Sequence, residues 1–227
     1  MFPVPIGGSL TQSLPSYNAE LLDSCHTFVV EEVRTARRFL KSAGYRHTID
    51  DTSFLVLNEH TDPKSISDYL DPIYRGENVG LLSEAGLPCI ADPGAALTRM
   101  AQDRGITVVP LVGPSSLMLT LMSSGLNGQN FAFNGYLPVE RSKREKTIRM
   151  LEGRAYKEKQ TQIFIEAPYR NNQLMQSLVN VCRGETVICV GCDVMLDTGF
   201  VKSRTATNWR MSMPDLHKRN TVFAIGI

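Results

Sequence analysis

The densest set of reactive residue types lies in Leu82-Ser-Glu-Ala-Gly-Leu-Pro-Cys-Ile-Ala-Asp-Pro-Gly94. A strand-like run ends there in a small-residue turn with one acid, Glu84, and an Asp92-Pro-Gly94 turn follows. Ala85 and Gly86 let the backbone approach a ligand closely, and Glu84 sets negative charge beside it, which favours a cationic ligand. An ordinary βα turn, with Asp92 capping a helix from Pro93, accounts for the same residues. A second set is Val108-Val-Pro-Leu-Val-Gly-Pro-Ser-Ser-Leu117, where Ser115 and Ser116 open an apolar helix after Gly113-Pro114. Free N–H groups at a helix start hold anions; plain N-capping is the simpler account.

The segment from Arg141 to Lys159 carries eight Lys or Arg against three Glu, with Tyr156 its one aromatic. Such a segment grips phosphates as a local electrostatic footprint, or it is a solvated helix face. Cys189-Val-Gly-Cys192 has only Cys182 nearby, so a zinc site lacks its second pair and core thiols fit better. His26, His47, His60 and His217 show no metal-ligand spacing, and neither a phosphate-loop nor a dinucleotide-binding glycine motif occurs.

These residues need elements to position them. Strands are predicted at Phe28–Val30, Phe54–Leu57, Val79–Leu82, Thr107–Val112, Phe131–Phe133, Gln162–Ile165, Val187–Val190 and Val222–Ile225. Helical spacing joins Ala36, Phe39, Leu40 and Ala43, and again Leu174, Leu178 and Val181. The alternation argues an α/β fold with largely parallel strands in the first half. In such sheets ligands bind beyond the carboxyl ends of the strands, where the Gly/Pro-rich loops sit. A boundary near Gly113-Pro114 divides the chain into domains 1–113 and 114–227, and Gly199–Trp209 reads as part of a mixed-sheet strand pair.

Composition narrows the class. The chain has 227 residues, 42% hydrophobic and 21% charged, with a formal net charge of +1. That is ordinary for a globular protein, and no global field points to nucleic acid or membrane. No stretch reaches the ~18 apolar residues of a membrane helix, and the N-terminus lacks the basic and apolar regions of a signal peptide. Five scattered cysteines suit reduced thiols. A cytoplasmic setting is the expectation.

Seven segments occur in a recognisable order: Val4-Pro-Ile-Gly7, Val30-Glu-Glu-Val-Arg34, Asn58-Glu-His60, the Ser83–Gly94 loop, Val109–Leu117, Phe133-Asn-Gly-Tyr-Leu-Pro138 and Glu166-Ala-Pro-Tyr-Arg170. Together they resemble the ribosomal RNA small-subunit methyltransferase I branch of the tetrapyrrole methylases, the class III S-adenosylmethionine-dependent methyltransferases. The resemblance implies two α/β domains with the cofactor in the cleft between them, usually as a homodimer and without a metal. It implies an enzyme that 2′-O-methylates a ribose of ribosomal RNA and releases S-adenosylhomocysteine. A tetrapyrrole or small-molecule acceptor is the nearest rival, but those enzymes carry Gly-x-Gly-Pro-Gly-Asp where this chain has Pro5-Ile-Gly-Gly8. A degenerate member that binds cofactor or RNA without turnover is the other.

Carried over by position, Ile6, Glu84, Leu87, Ser115, Ser116 and Ala167 would contact the cofactor. Glu32 and Glu59 are candidates to deprotonate a ribose hydroxyl, and Arg34 to orient a phosphate. Arg141, Lys143, Arg144 and Arg170 would hold the RNA substrate. The chain departs from the family pattern at Glu84, where an aspartate is usual, and at Glu31-Glu-Val-Arg34 and Glu166-Ala-Pro-Tyr-Arg170. It departs again at Gly191-Cys-Asp-Val-Met-Leu196, where an Arg and a Lys are usual. Its first strand is only a stub ahead of the first loop.

Overall fold

Strand β1, Cys25–Val30, reads Cys-His-Thr-Phe-Val-Val and is buried at every position but one. A run buried on both faces is what a central strand between two parallel neighbours requires. Accordingly β1 pairs in parallel with β2, Ser53–Val56, on one side and with β3, Asn78–Leu81, on the other. These coordinates are a computed structural model, describing every residue from Met1 to Ile227. They divide into two compact units, Met1–Ser115 and Ser116–Ile227.

In the first unit the short helices α1, Leu10–Ser13, and α2, Ser16–Leu22, precede β1, with Pro15 between them. Helix α3, Val33–Ser42, buries Ala36, Phe39 and Leu40 on one face and leaves Arg37 and Arg38 in water. Two such large apolar side chains contribute about 1.5–3 kcal/mol each on burial. Helix α4, Asp71–Tyr74, leads into β3, and α5, Ala95–Asp103, follows the long loop after it. The expected strand at Thr107–Val112 does not form a ladder. Its partner is the stub at the start of the chain: the Met1 ammonium donates to Val109 O at 2.9 Å and Leu111 N to Met1 O at 3.2 Å. Pro110 between them has no N–H to add. On its other side the stub joins β3, with Phe2 N donating to Leu81 O at 2.8 Å.

The second unit opens with α6, Ser116–Ser124, and is built on a five-stranded mixed sheet. Its strands are β4, Phe131–Tyr136, β5, Thr161–Ile165, β6, Val187–Cys192, β7, Phe200–Thr205, and β8, Thr221–Gly226, in the order β4-β5-β8-β6-β7. Only β4 and β5 run parallel; the other pairings are antiparallel. Helices α7, Arg141–Glu158, and α8, Asn171–Val181, pack on it through Ile148, Leu151, Leu174 and Leu178, which join one buried cluster. The stretch read as a strand pair through Trp209 contains β7 and then a helix, α9, Ala206–Met211. Thr205 stops the strand because its hydroxyl caps the helix, accepting from Asn208 N at 3.3 Å. Trp209 is buried, its indole donating to Ile188 O at 2.8 Å.

Cys189 and Cys192 both lie buried in β6. Three residues apart on a strand, they face opposite sides of the sheet, and they join different apolar clusters. They are core thiols, and burial pushes both up. No helix is long and apolar enough to cross a membrane.

Candidate functional site

Because β1, β2 and β3 are parallel, the segments after them leave one edge of the sheet together. Those segments are Glu31–Arg34, Leu57–Glu59 and Leu82–Gly94. The tip of the first loop is bound to the third: Val4 and Gly86 exchange backbone hydrogen bonds of 2.9 and 2.8 Å. Ser83 Oγ closes that turn from inside, donating to Gly86 O at 2.7 Å. Gly86 adopts φ +86°, and a Cβ there would stand 3.3 Å from Ile6 and 3.4 Å from the Pro114 carbonyl. Glycine thus brings Ile6, the Ser83–Gly86 turn and Pro114 together, with Leu87, Ser115 and Ser116 adjoining in sequence.

The carboxylates here are not alike. Glu32 is the N-cap of α3: it accepts from Arg34 N and Thr35 N, each at 2.9 Å, and from the Thr35 hydroxyl at 3.1 Å. Those bonds, the one from Arg34 first, hold its carboxyl below the usual range. A carboxylate so occupied is a poor proton acceptor, and the geometry suits Glu32 to fixing the turn that carries Arg34. Glu84 lies over the same turn and is pushed up, by burial first and then by the charges of Glu31 and Glu32. Asp92 is pushed furthest, to about 6, again by burial first and then by Glu31 and Glu84. Its Oδ2 is buried without a hydrogen-bond partner. Asp92 does not cap a helix, the alternative its sequence allowed, because α5 starts three residues later behind Gly94 at φ +125°. The sequence signal was present, an acid before Pro-Gly, but turn chemistry also explains that pattern. Glu59 is fully out in solvent after β2, 3.5 Å from His60.

Two larger cavities of this unit lie elsewhere. One of about 540 Å³ opens at the amino ends of β1 and β3, beside Cys25 and Asn78, and one of about 410 Å³ lies among α1, α2 and α3.

In the second unit Ala167 follows β5. Its N–H bonds to Glu166 Oε1 at 2.8 Å and its carbonyl accepts from Arg170 N at 2.8 Å, so only its methyl and surface remain for a ligand. Arg170 is clamped on Glu166, 2.9 Å from Nε and 2.6 Å from Nη2, and donates from Nη1 to the Tyr169 hydroxyl at 2.8 Å. That engagement makes Arg170 a brace for its loop rather than a free phosphate ligand. On α7, exposed Arg141 pairs with Glu145 and exposed Lys143 with Glu140, each at 2.8 Å. Arg144 differs from the surface cation expected. It is buried, donating from Nε to Ser177 Oγ at 3.0 Å and from Nη1 to Val139 O at 2.8 Å. No group of three or more His, Cys, Asp or Glu side chains is arranged to hold a metal ion.

No family model matches the chain. The ribosomal RNA small subunit methyltransferase I of Vibrio cholerae is 31% identical to it over 186 residues, 81% of this chain and 60% of that protein. The Pseudomonas aeruginosa protein of the same name is 33% identical over 141 residues, 62% of this chain and 49% of that one. The Haemophilus influenzae protein is 27% identical over 224 residues, 97% of this chain and 75% of that one. The chain resembles the small-subunit methyltransferase I branch of the tetrapyrrole methylases. It spans between half and three fifths of the first curated relatives it matches.

The resemblance extends to the fold. The methyltransferase CobJ matches with a TM-score of 0.62 at 14% identity, covering 95% of this chain and 88% of that one. The uroporphyrin-III C-methyltransferase of Thermus thermophilus, solved with S-adenosylhomocysteine, matches with 0.56 at 14%, covering 99% and 96%. At that identity the likeness establishes the α/β fold of the tetrapyrrole methylases and nothing about the acceptor.

Proposed function

We propose that this chain is an S-adenosylmethionine-dependent methyltransferase acting on a ribose 2′-hydroxyl of ribosomal RNA. The observation that carries the reading is the edge of the parallel sheet, where Ile6, the Ser83–Gly86 turn and Pro114 meet beside Glu84 and Asp92. Burial and mutual repulsion leave both carboxyls short of positive charge, and a sulfonium supplies it. The donor set of the first unit therefore fits the cofactor, with Glu84 on its charge and Ile6, Leu87 and Ser115 beside it; Ser116 and Ala167 are carried into the proposal by the family resemblance alone. When bound, S-adenosylmethionine supplies a methyl group on a sulfonium leaving group, open to in-line displacement.

Most of the acceleration in such a transfer comes from holding the hydroxyl near the methyl carbon. Glu32 anchors the turn from which Arg34 orients a phosphate of the acceptor, and Glu59 is left as the carboxylate exposed enough to take the hydroxyl proton. The choice of RNA rests on the names of the sequence relatives, not on the tetrapyrrole enzymes that share only the fold. A dimeric form in the cytoplasm belongs to the same proposal.

Isothermal titration with S-adenosylmethionine and S-adenosylhomocysteine, on wild type and Glu84→Ala, tests it. One-site binding weakened at least fivefold by the substitution is the expected result. No binding of either compound at millimolar concentration would overturn the methyltransferase reading. Binding without release of S-adenosylhomocysteine on any ribosomal RNA would reduce the protein to a non-catalytic binder.

A further inference from the structure

Arg144 is only 5% exposed, and its two protein partners, Ser177 Oγ and Val139 O, are both neutral. Its Nη2 makes no hydrogen bond within the protein, and no carboxylate lies within 4.0 Å. The two carboxylates nearest in sequence are taken by exposed cations: Glu145 by Arg141 and Arg149, Glu140 by Lys143. Two other partly buried arginines are paired with acids, Arg170 with Glu166 at 2.6 Å and Arg219 with Asp193 at 2.7 Å, while Arg204 lies over the Trp209 ring. Glu145 acts on Arg144 through space without pairing with it, and a buried guanidinium bonded only to neutral groups gains from an anion that completes it. Its place adds to that gain. Arg144 is the fourth residue of an 18-residue helix whose first turn holds no acid, so it stands at the positive end of the helix dipole.

Arg144 lines a groove of about 490 Å³ between α7 and α8. The opposite wall is Asn172, Gln173, Gln176 and Asn180, spaced to share one exposed face of α8. Helix α8 carries no charged residue; Asn172 is held by Asp215 Oδ1 and Leu216 N, each at 2.8 Å, and Gln176 donates to Asn180 Oδ1 at 3.1 Å, so Gln173 and the remaining groups of Gln176 and Asn180 face the groove as neutral donors and acceptors. Arg141 stands at the rim.

We propose that this groove holds a phosphodiester of the RNA acceptor, with Arg144 as its counter-charge and the α8 amides contacting the adjoining sugar and base edges. The site rests on the RNA reading above. Neutral amides facing a guanidinium suit a polyanion that must be positioned by hydrogen bonds as well as charge. A surface built for water alone would carry the mixed Lys and Glu seen on α7.

The test is anisotropy of a labelled single-stranded RNA oligonucleotide titrated with the full chain across a salt series. The variants are Gln176→Glu, which sets a negative charge in the groove at an exposed position, and Arg144→Gln. Circular dichroism and a denaturation midpoint establish that each is folded. Both should weaken RNA binding at least fivefold, and Arg144→Gln should flatten the log–log salt slope by about 0.7, one phosphate contact to a single strand. Cofactor affinity should not change. Wild-type affinity and slope in both folded variants would overturn the site while leaving RNA as the acceptor. Weakening of Arg144→Gln with an unchanged slope would overturn it too, because the loss would then come through packing. If wild type binds S-adenosylmethionine but no RNA, the site falls together with the RNA acceptor, and the cofactor reading survives.

Discussion

Replacing Asp92 by Asn should stabilise the protein at pH 8 and leave it unchanged near pH 4. The carboxyl is partly buried, faces Glu31 and Glu84, and titrates near 6 against an ordinary 3.8. Below pH ~4 both folded and unfolded chains hold the proton, and the acid costs the fold nothing. Between pH ~4 and ~6 the unfolded chain releases its proton first, so the folded state binds more protons and stability falls as pH rises. Above pH ~6 the full cost is present. The gap from 3.8 to about 6 sets a ceiling of about 3 kcal/mol at ~1.4 kcal/mol per unit. Residual exposure screens the charges and brings the expected gain to about 1–2 kcal/mol. Asparagine keeps the shape of the side chain and removes the charge that faces Glu31 and Glu84. Urea denaturation at pH 4, 6 and 8 reads the effect as a midpoint shift at constant slope. An equal gain at pH 4 and pH 8, or a loss at pH 8, would refute the electrostatic argument. Saturating S-adenosylmethionine should remove most of the pH dependence in wild type, since the sulfonium offsets the same repulsion.

Two further substitutions test the second unit. Gly191→Ala in β6 drives a methyl into Thr120 of α6 and should cost about 1–3 kcal/mol. Adding Thr120→Ala should recover most of that loss, because the Thr120 hydroxyl is buried without a partner; purely additive denaturation free energies in the double variant would show that the two do not collide. Trp209→Ala should cost about 3–5 kcal/mol by emptying a fully packed site and removing the indole bond to Ile188 O, and a midpoint within error of wild type would contradict the packing.

Much of this molecule was legible in its sequence where pattern and chemistry are local. The strands at the centre of each sheet stood out because a strand covered on both faces is largely apolar, as Phe28–Val30 of β1 and Val222–Ile225 of β8 are. The ligand-side loops stood out because only Gly and Pro make such turns, and Gly86 at φ +86° bears that out. Local spacing also placed the α7 helix and the core thiols of β6. Elements that depend on a distant partner escaped. The Thr107–Val112 run has the composition of a strand, but its ladder needs a neighbour that Met1 and Phe2 supply only in part. The sequence could say that Glu32, Glu84 and Asp92 are carboxylic acids; only folding decided that the first is spent on a helix cap while the other two are held up by burial and by each other. Arg144 shows the same division, one of eight basic residues in a row of similar letters. Only the packing of α7 against α8 singles it out as the buried one that pairs with no acid, because burial and charge pairing are properties of neighbours in space, and neighbours in sequence do not report them.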